Sequence, residues 1–119
     1  MSDHVSWVLE FSIKPGEADT FKTLVDEMVE ATRANEPDTL IYEWALGADG
    51  QTGHVCERYA SSAAAMTHLA SFGANFADRL LAAVDPTRLT IHGDPSAEVR
   101  DVLDGFGAIY MTPAAGFAR

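Results

Sequence analysis

The residues of this sequence that are best suited to chemistry form an aromatic and polar set. Tyr42 and Trp44 alternate within one extended segment, so they share a face of a strand. His68 and Phe72 are four residues apart, so they share a face of a helix. Groups of this kind line apolar pockets that hold small aromatic ligands through a few polar anchors. The candidate residues are Asn35, Tyr42, Trp44, Tyr59, His68, Phe72 and Phe76.

These residues also have ordinary structural interpretations. Trp44 and Phe72 are typical of a protein core. Asn35 is of a type that often ends helices, and a histidine such as His68 on a partly apolar face is often a hydrogen-bonded structural residue. Arg58 is typical of a cross-strand ion pair at a sheet edge. The residues by themselves leave both interpretations open.

Other common catalytic patterns are missing from the sequence. It has no glycine-rich phosphate loop and no H-E-x-x-H, C-x-x-C or H-x-H spacing, and its histidines are scattered, so we expect no metal site. No Ser-His-Asp set follows from spacing. The single cysteine, Cys56, lies within a predicted strand and excludes an internal disulfide, which fits a reducing compartment.

Composition narrows the class of protein. The chain has 119 residues and a formal charge of −10, from 18 acidic and 8 basic side chains. This charge repels phosphate backbones and anionic lipids, so we expect neither nucleic acid nor membranes as partners. The start of the chain, Met1-Ser2-Asp3-His4, lacks the basic and apolar segments of a signal peptide. No apolar stretch reaches the ~20 residues that span a bilayer. We therefore predict one cytoplasmic domain over residues 1–119.

Hydrophobic periodicity predicts an α+β fold. Alternating residues predict strands over 5–13, 39–46, 52–60 and 87–92. A helical pattern covers 17–34, and a second helix, capped by Ser61, is expected to break over 71–75. The order β-α-β-β-α-β is that of the ferredoxin-like fold, with an antiparallel sheet and helices on one face. Residues 93–119 add a short α-β extension.

The face of this sheet that the helices leave uncovered needs another cover. Neither face of the strand 52–60 is cleanly polar, since His54, Cys56 and Arg58 alternate with apolar and acidic residues. Exposed apolar area of this size is rare on monomers, and the sheet of a second copy is an economical cover. The sequence therefore predicts a homodimer.

Several short segments, in this order and spacing, resemble the antibiotic biosynthesis monooxygenase family of dimeric α/β-barrel proteins. They are Lys14-Pro15-Gly16 before a helix with Phe21, Asn35-Glu36-Pro37 before Tyr42-Glu43-Trp44, Glu57-Arg58-Tyr59, and His68-Leu69. The resemblance covers residues 5–92 and leaves 93–119 as an extension that packs on the barrel or the partner. It implies oxidation of a small aromatic or quinol-type substrate by molecular oxygen, without flavin, haem or metal.

The resemblance also implies roles for individual residues. Asn35 and Trp44 match an asparagine and a tryptophan that surround the substrate in the family, and His68 matches a histidine of the second helix. With the looser match Tyr59, these are the predicted catalytic residues. Haem degradation is not expected, because Phe11 lies in the region where haem-degrading relatives carry an asparagine. The predicted substrate-binding residues are Phe11, Tyr42, Arg58, Phe72 and Phe76.

The implied chemistry needs little from the protein. A deprotonated phenol or dihydroquinone can reduce oxygen itself, so the site must favour the anion, hold oxygen and exclude water. In this hypothesis His68, or Tyr59 assisted by Arg58, takes the proton and Asn35 binds the developing anion. The alternatives are a non-catalytic dimeric protein that binds small ligands or is stress-related, and a small-molecule isomerase.

Overall fold

The structure is a computed structural model that describes residues 3–119. Met1 and Ser2 lie outside the described residues. The prediction that the chain starts without a signal peptide rests partly on these two residues. The elements in chain order are β1 (Val5–Ile13), α1 (Ala18–Asn35), β2 (Thr39–Leu46), β3 (Thr52–Tyr59), α2 (Ser62–Asn75), α3 (Ala77–Ala83), β4 (Val84–His92), α4 (Ala97–Leu103), a 3₁₀ turn (Asp104–Phe106) and β5 (Ile109–Met111).

The strands form one open sheet in the order β2-β3-β1-β4-β5. The pairs β2–β3, β3–β1 and β1–β4 are antiparallel, so the predicted α+β, ferredoxin-like fold is confirmed. The C-terminal extension adds β5 at one edge of this sheet, where it runs parallel to β4. The chain leaves β4, crosses through α4 and returns in the same direction, and this connection imposes a parallel pair.

The helices cover one face of the sheet because their apolar stripes match its apolar side. On α1 the buried residues Phe21, Leu24 and Met28 recur every three or four positions. They pack against Phe11 of β1 and Leu80 of α3 in one of two core clusters. The other cluster joins β1, β3, β4, α2 and α4. The opposite face of the sheet, which carries alternate residues of the same strands, has no helix over it among residues 3–119.

Two predicted boundaries differ from the structure. The helix break expected over 71–75 lies instead at Phe76, which ends α2 and begins α3. Gly73 occupies an exposed position of α2, where glycine costs only about 1 kcal/mol relative to alanine. β4 begins at Val84 and contains Pro86, which pairs with Phe11 beside a bulge of β4 at Thr87. A bulge tolerates proline because the hydrogen bonds between the strands are interrupted there, so the backbone N–H that proline lacks is not needed.

The C-terminal extension is part of the same core. Ser96 caps α4 by accepting a hydrogen bond from the Val99 backbone N–H at 3.3 Å. The Ser96 backbone N–H donates to the Ser62 hydroxyl at the start of α2, at 2.9 Å. Val99 and Leu103 are buried in the cluster that contains Trp7. None of the helices within residues 3–119 is long and apolar enough to cross a membrane.

Leu103 tests whether α4 contributes to folding. We expect Leu103→Ala to lower the free energy of unfolding by about 2–5 kcal/mol, because it leaves a cavity at a buried site. The neighbouring Val102, which is 36% exposed, provides a control, and Val102→Ala should change this free energy by about 0.5 kcal/mol or less. Urea unfolding measures both, and equal effects would show that α4 is not packed as described.

Candidate active site

A carboxylate lies on the buried face of β3. Glu57 alternates with Val55 and Tyr59, and all three side chains are buried on the side that the helices cover. The Tyr59 hydroxyl donates a short hydrogen bond to Glu57 Oε1. A buried carboxylate requires partners of this kind, because removal from water destabilises its charge.

The turn after α1 places a second carboxylate nearby. Glu36 follows the last residue of α1, and its backbone N–H donates to the Thr32 carbonyl at 3.0 Å. Pro37 cannot continue the helix, so the chain turns there. The Thr39 hydroxyl donates to Glu36 Oε1 at 3.0 Å. These contacts hold the buried Glu36 side chain between α1 and α2.

His68 of α2 joins the two carboxylates. Its Nδ1 lies 2.8 Å from Glu36 Oε1, and its Nε2 lies 3.2 Å from Glu57 Oε1. An ionised carboxylate can only accept hydrogen bonds, so both ring nitrogens of His68 must donate. The arrangement therefore favours an imidazolium held between two carboxylates, with a combined charge of −1. We call Glu36, His68, Glu57 and Tyr59 the buried array.

The titration of these groups follows from their surroundings. Burial acts to lower the pKa of His68, but hydrogen bonding and charge from Glu57 and Glu36 outweigh it and raise the pKa above 6.5. Burial, followed by the charge of Glu57, raises the pKa of Tyr42 and of Tyr59 far above 10.0. Both tyrosines are therefore neutral phenols near pH 7, and Tyr59 acts as a donor to Glu57.

An apolar pocket lies beside the buried array. Tyr42 packs against His68 at 5.2 Å between ring centroids and 64° between planes, and Phe72 stacks on the same ring at 6.4 Å and 14°. Trp44 meets Tyr42 edge-on at 5.8 Å. His68 and Glu57 form the polar part of the wall, and the open volume is about 60 Å³.

Trp44 adds a hydrogen-bond donor to this region. Its indole N–H is buried and makes no hydrogen bond of standard geometry. The indole N–H lies near the Tyr42 hydroxyl. Burial raises the pKa of Tyr42, and the nearby N–H acts in the opposite direction and lowers it. Buried donors are almost always paired in folded proteins, so this N–H is a candidate donor to a ligand oxygen in the pocket.

The structure brings together four of the residues singled out from the sequence. Tyr42, Trp44, His68 and Phe72 all line the pocket. Tyr59 lies behind it, fully buried, with its ring 5.3 Å from that of His68. Phe11 and Phe76 are in the adjoining core, and Phe11 contacts Trp44 at 5.7 Å between centroids.

Two of the predicted site residues lie elsewhere. The Asn35 side chain is exposed and donates from Nδ2 to the Ala31 carbonyl of its own helix at 2.9 Å. Arg58 alternates with Glu57 and Tyr59, so it occupies the opposite face of the sheet, beside Ser6 and His92. Neither side chain lines the pocket, and neither is in contact with the buried array.

Sequence reasoning did not assign Glu36 and Glu57 to the site. Glu57 carries a signal that could have identified it, because it has the same strand parity as the buried Val55 and Tyr59. A charge at such a position requires a buried partner. Glu36 gives no comparable signal, since a glutamate next to a helix end is usually solvated. Within residues 3–119, no group of three or more histidine, cysteine or acidic residues is placed to hold a metal ion.

Residues 5–84 match the sequence model of the antibiotic biosynthesis monooxygenase family. The match covers most of the chain, so the protein belongs to this family, as the resemblance in its sequence predicted. The family match ends within the predicted core of 5–92 and before the extension. No curated protein matches the chain.

Solved structures share the fold at low sequence identity. MupZ from Pseudomonas fluorescens is 20% identical with a TM-score of 0.86, over 99% of this chain and 96% of its own. Rv0793 from Mycobacterium tuberculosis is 24% identical with a TM-score of 0.67, over 78% and 96%. SnoaB from Streptomyces nogalater, described as a cofactor-independent oxygenase, is 17% identical with a TM-score of 0.66, over 81% and 97%.

The pKa of His68 provides a test of the buried array. We expect its imidazole resonances to titrate above pH 6.5, because two carboxylates stabilise the cation. The stability that this supplies is fully present below pH 6.5 and is lost as pH rises through the raised folded-state pKa. Histidine NMR and urea unfolding across this range measure both effects. The variant His68→Gln should lack this pH dependence, and a His68 midpoint at or below 6.5 would contradict the arrangement.

Proposed function

We propose that this protein is a cofactor-independent monooxygenase that oxidises a small phenol or quinol with molecular oxygen. The observation that carries the proposal is a buried array of proton-transfer groups in the wall of an aromatic pocket. Membership of the monooxygenase family supports it. The shared fold with SnoaB, described as a cofactor-independent oxygenase, is consistent with it.

The geometry favours Glu57 as the group that takes the substrate proton. Both nitrogens of His68 are already bound to carboxylates, whereas Glu57 is a carboxylate in the pocket wall. When Glu57 accepts a proton, the negative charge moves from the buried array to the substrate. The new anion then lies beside the His68 imidazolium, which stabilises it in a site from which water is largely excluded. The proposed acceptor is thus Glu57, and Tyr59 and His68 position it.

The oxidation that follows balances without a cofactor. The substrate anion transfers one electron to oxygen, and the resulting radical and superoxide combine to form a carbon–oxygen bond. The peroxide anion so formed takes back the first proton and becomes a hydroperoxide. Removal of the remaining C–H proton then forms the carbonyl as the O–O bond breaks, and the departing hydroxide takes up a proton and leaves as water. A CH₂ group and O₂ become a C=O group and H₂O, with four electrons passing from carbon to oxygen. Glu57 can accept both substrate protons in turn.

The structure changes how the predicted roles are distributed in this proposal. Trp44 offers an N–H to the developing oxygen anion, the role first expected of Asn35. Tyr42 and Phe72 form the walls that hold the ring and exclude water. We assign no role to Asn35 or Arg58, because the first is exposed and the second faces the other side of the sheet.

Oxygen consumption by purified, metal-stripped protein tests this function against a panel of anthrones and dihydroquinones. We expect Glu57→Gln to lower kcat by roughly 10²–10⁴-fold, the usual contribution of a general base. The same change at Glu30, which is exposed on α1, is the matched control and should retain the wild-type rate. Wild-type uptake that Glu57→Gln leaves unchanged would exclude Glu57 as the acceptor.

The same panel separates the alternatives. Product formation from a carbonyl substrate without oxygen would favour an isomerase, because the buried array can transfer protons in either reaction. Binding of aromatics with neither oxygen uptake nor turnover would favour a non-catalytic ligand-binding protein.

We also propose that two copies pair through the face of the sheet that carries no helix, in the cytoplasm. This face displays Ile41 of β2 and Met111 of β5, which are 37% and 43% exposed, together with Val8 and Cys56. Pairing would bury these apolar groups, which favours association in water. The sheet of one chain is open, so closing a barrel requires the second sheet.

Sedimentation tests the pairing. We expect wild-type protein at micromolar concentration to have twice the chain mass of 12.8 kDa. Ile41→Asp should lower the mass to that of one chain, because it places a charge in the proposed contact. Val102→Asp, at a site of similar exposure on α4, is the control and should leave the pair intact. A wild-type species of one chain mass would refute the dimer.

A further inference from the structure

The pocket is too small for the ligands that its chemistry suits. Its open volume is about 60 Å³, whereas sites for small organic molecules typically measure about 300–1,000 Å³. The space beside the buried array can hold oxygen or a few atoms of a ring, but not a polycyclic phenol. Part of the wall must therefore move before such a substrate can enter.

Most of the wall is held in the core. Met28, Val55, His68 and Leu89 are buried and belong to helices or strands. Moving any of them would disrupt close packing, which is costly in a protein interior. The wall residues that could yield are therefore those at the exposed end of the pocket.

Three apolar residues of the wall are at least one-third exposed, and one of them, Pro86, is held in β4 opposite Phe11 of β1. Leu81 is 36% exposed, but it belongs to α3, and its carbonyl accepts a hydrogen bond from Lys14 Nζ at 2.9 Å. Phe106 is 42% exposed and lies on the 3₁₀ turn between Gly105 and Gly107. Gly107 has φ of +73°, a conformation that favours glycine, and side chains at either glycine would meet open space. The turn at Phe106 is thus the part of the wall with most freedom.

The segments on either side of this turn are fixed. Before it, Leu103 is buried in the core. The Tyr110 hydroxyl donates to Asp104 Oδ1 at 2.6 Å, and the Arg100 guanidinium lies 4.5 Å above the Tyr110 ring. After it, β5 pairs with β4. Motion is thereby confined to residues 105–107, whose backbone hydrogen bond joins the Gly107 N–H to the Asp104 carbonyl at 3.1 Å.

We propose that Phe106 is a gate that opens the pocket and sets the largest ring system it admits. The proposal rests on the proposed function, in that it takes the occupant to be an aromatic molecule. It assigns a specificity role to the C-terminal extension, which lies beyond the family match at residues 5–84. Rotation of one side chain on a turn flanked by glycines enlarges the pocket at its outer end and leaves the buried array in place.

Anaerobic stopped-flow fluorescence tests the gate, because Trp44 lies in the pocket wall and reports on occupancy. The probes are hydroquinone, with one ring, and anthrone, with three. We expect Phe106→Ala to raise the association rate constant for anthrone roughly tenfold, equivalent to lowering the barrier by about 1.4 kcal/mol. The rate for hydroquinone should change less than about twofold. Gly105→Ala, which stiffens the turn, should slow anthrone association.

Phe117→Ala is the matched control, since Phe117 is 82% exposed and lines no part of this pocket. The gate is refuted if Phe106→Ala and Phe117→Ala bind anthrone at the same rate, or if neither the wild type nor Phe106→Ala binds it. Oxygen uptake by the same samples in air separates the two proposals. Faster binding by Phe106→Ala without uptake would support the gate and refute the oxygenase. Oxygen uptake together with equal anthrone binding rates in the wild type and Phe106→Ala would support the oxygenase and refute the gate.

Discussion

The site depends on the burial of two carboxylates against a single imidazole. Glu36 and Glu57 are both removed from water, and either one alone would be strongly destabilising without a cation or donors nearby. His68 contacts both, and Thr39 and Tyr59 each supply a further hydrogen bond. The end of α1, the middle of α2 and the inner face of β3 must therefore meet at one point. Loss of any one contact would leave a buried charge poorly compensated.

The ferredoxin-like topology makes this meeting possible. β3 lies inside the sheet between β2 and β1, so Glu57 is shielded by strands on both sides. α2 packs over that position and presents His68 toward it. The aromatic residues of β2 lie next to the same ring, and so the pocket and the buried array share a wall. A charged group that can change protonation is thereby placed against an apolar space, where its electrostatic effect on a ligand is strong.

The extension after β4 lies outside the part of the chain that matches the family model. The family match ends at residue 84. The fold of MupZ nevertheless covers 99% of the chain, and that of SnoaB covers 81%. Within this protein, α4 completes a core cluster through Val99, and Phe106 on the turn that follows lines the pocket. The same segment therefore contributes to folding and to the shape of the site.

Sequence patterns were enough to predict the order of the elements, the bounds of β1 and β2, and the shared faces of Tyr42 with Trp44 and of His68 with Phe72. These features follow from the spacing of apolar and polar residues along the chain. That spacing is a local property and can be recognised without knowing the fold. The packing of the folded chain was needed to show that β5 runs parallel to β4 and that the carboxylates of the site are Glu36 and Glu57. Glu36 is 32 residues from His68, and its contact depends on how α1 packs against α2. Periodicity indicates which side of an element is buried but not which group it will meet there, because partners across a core are set by packing between distant segments.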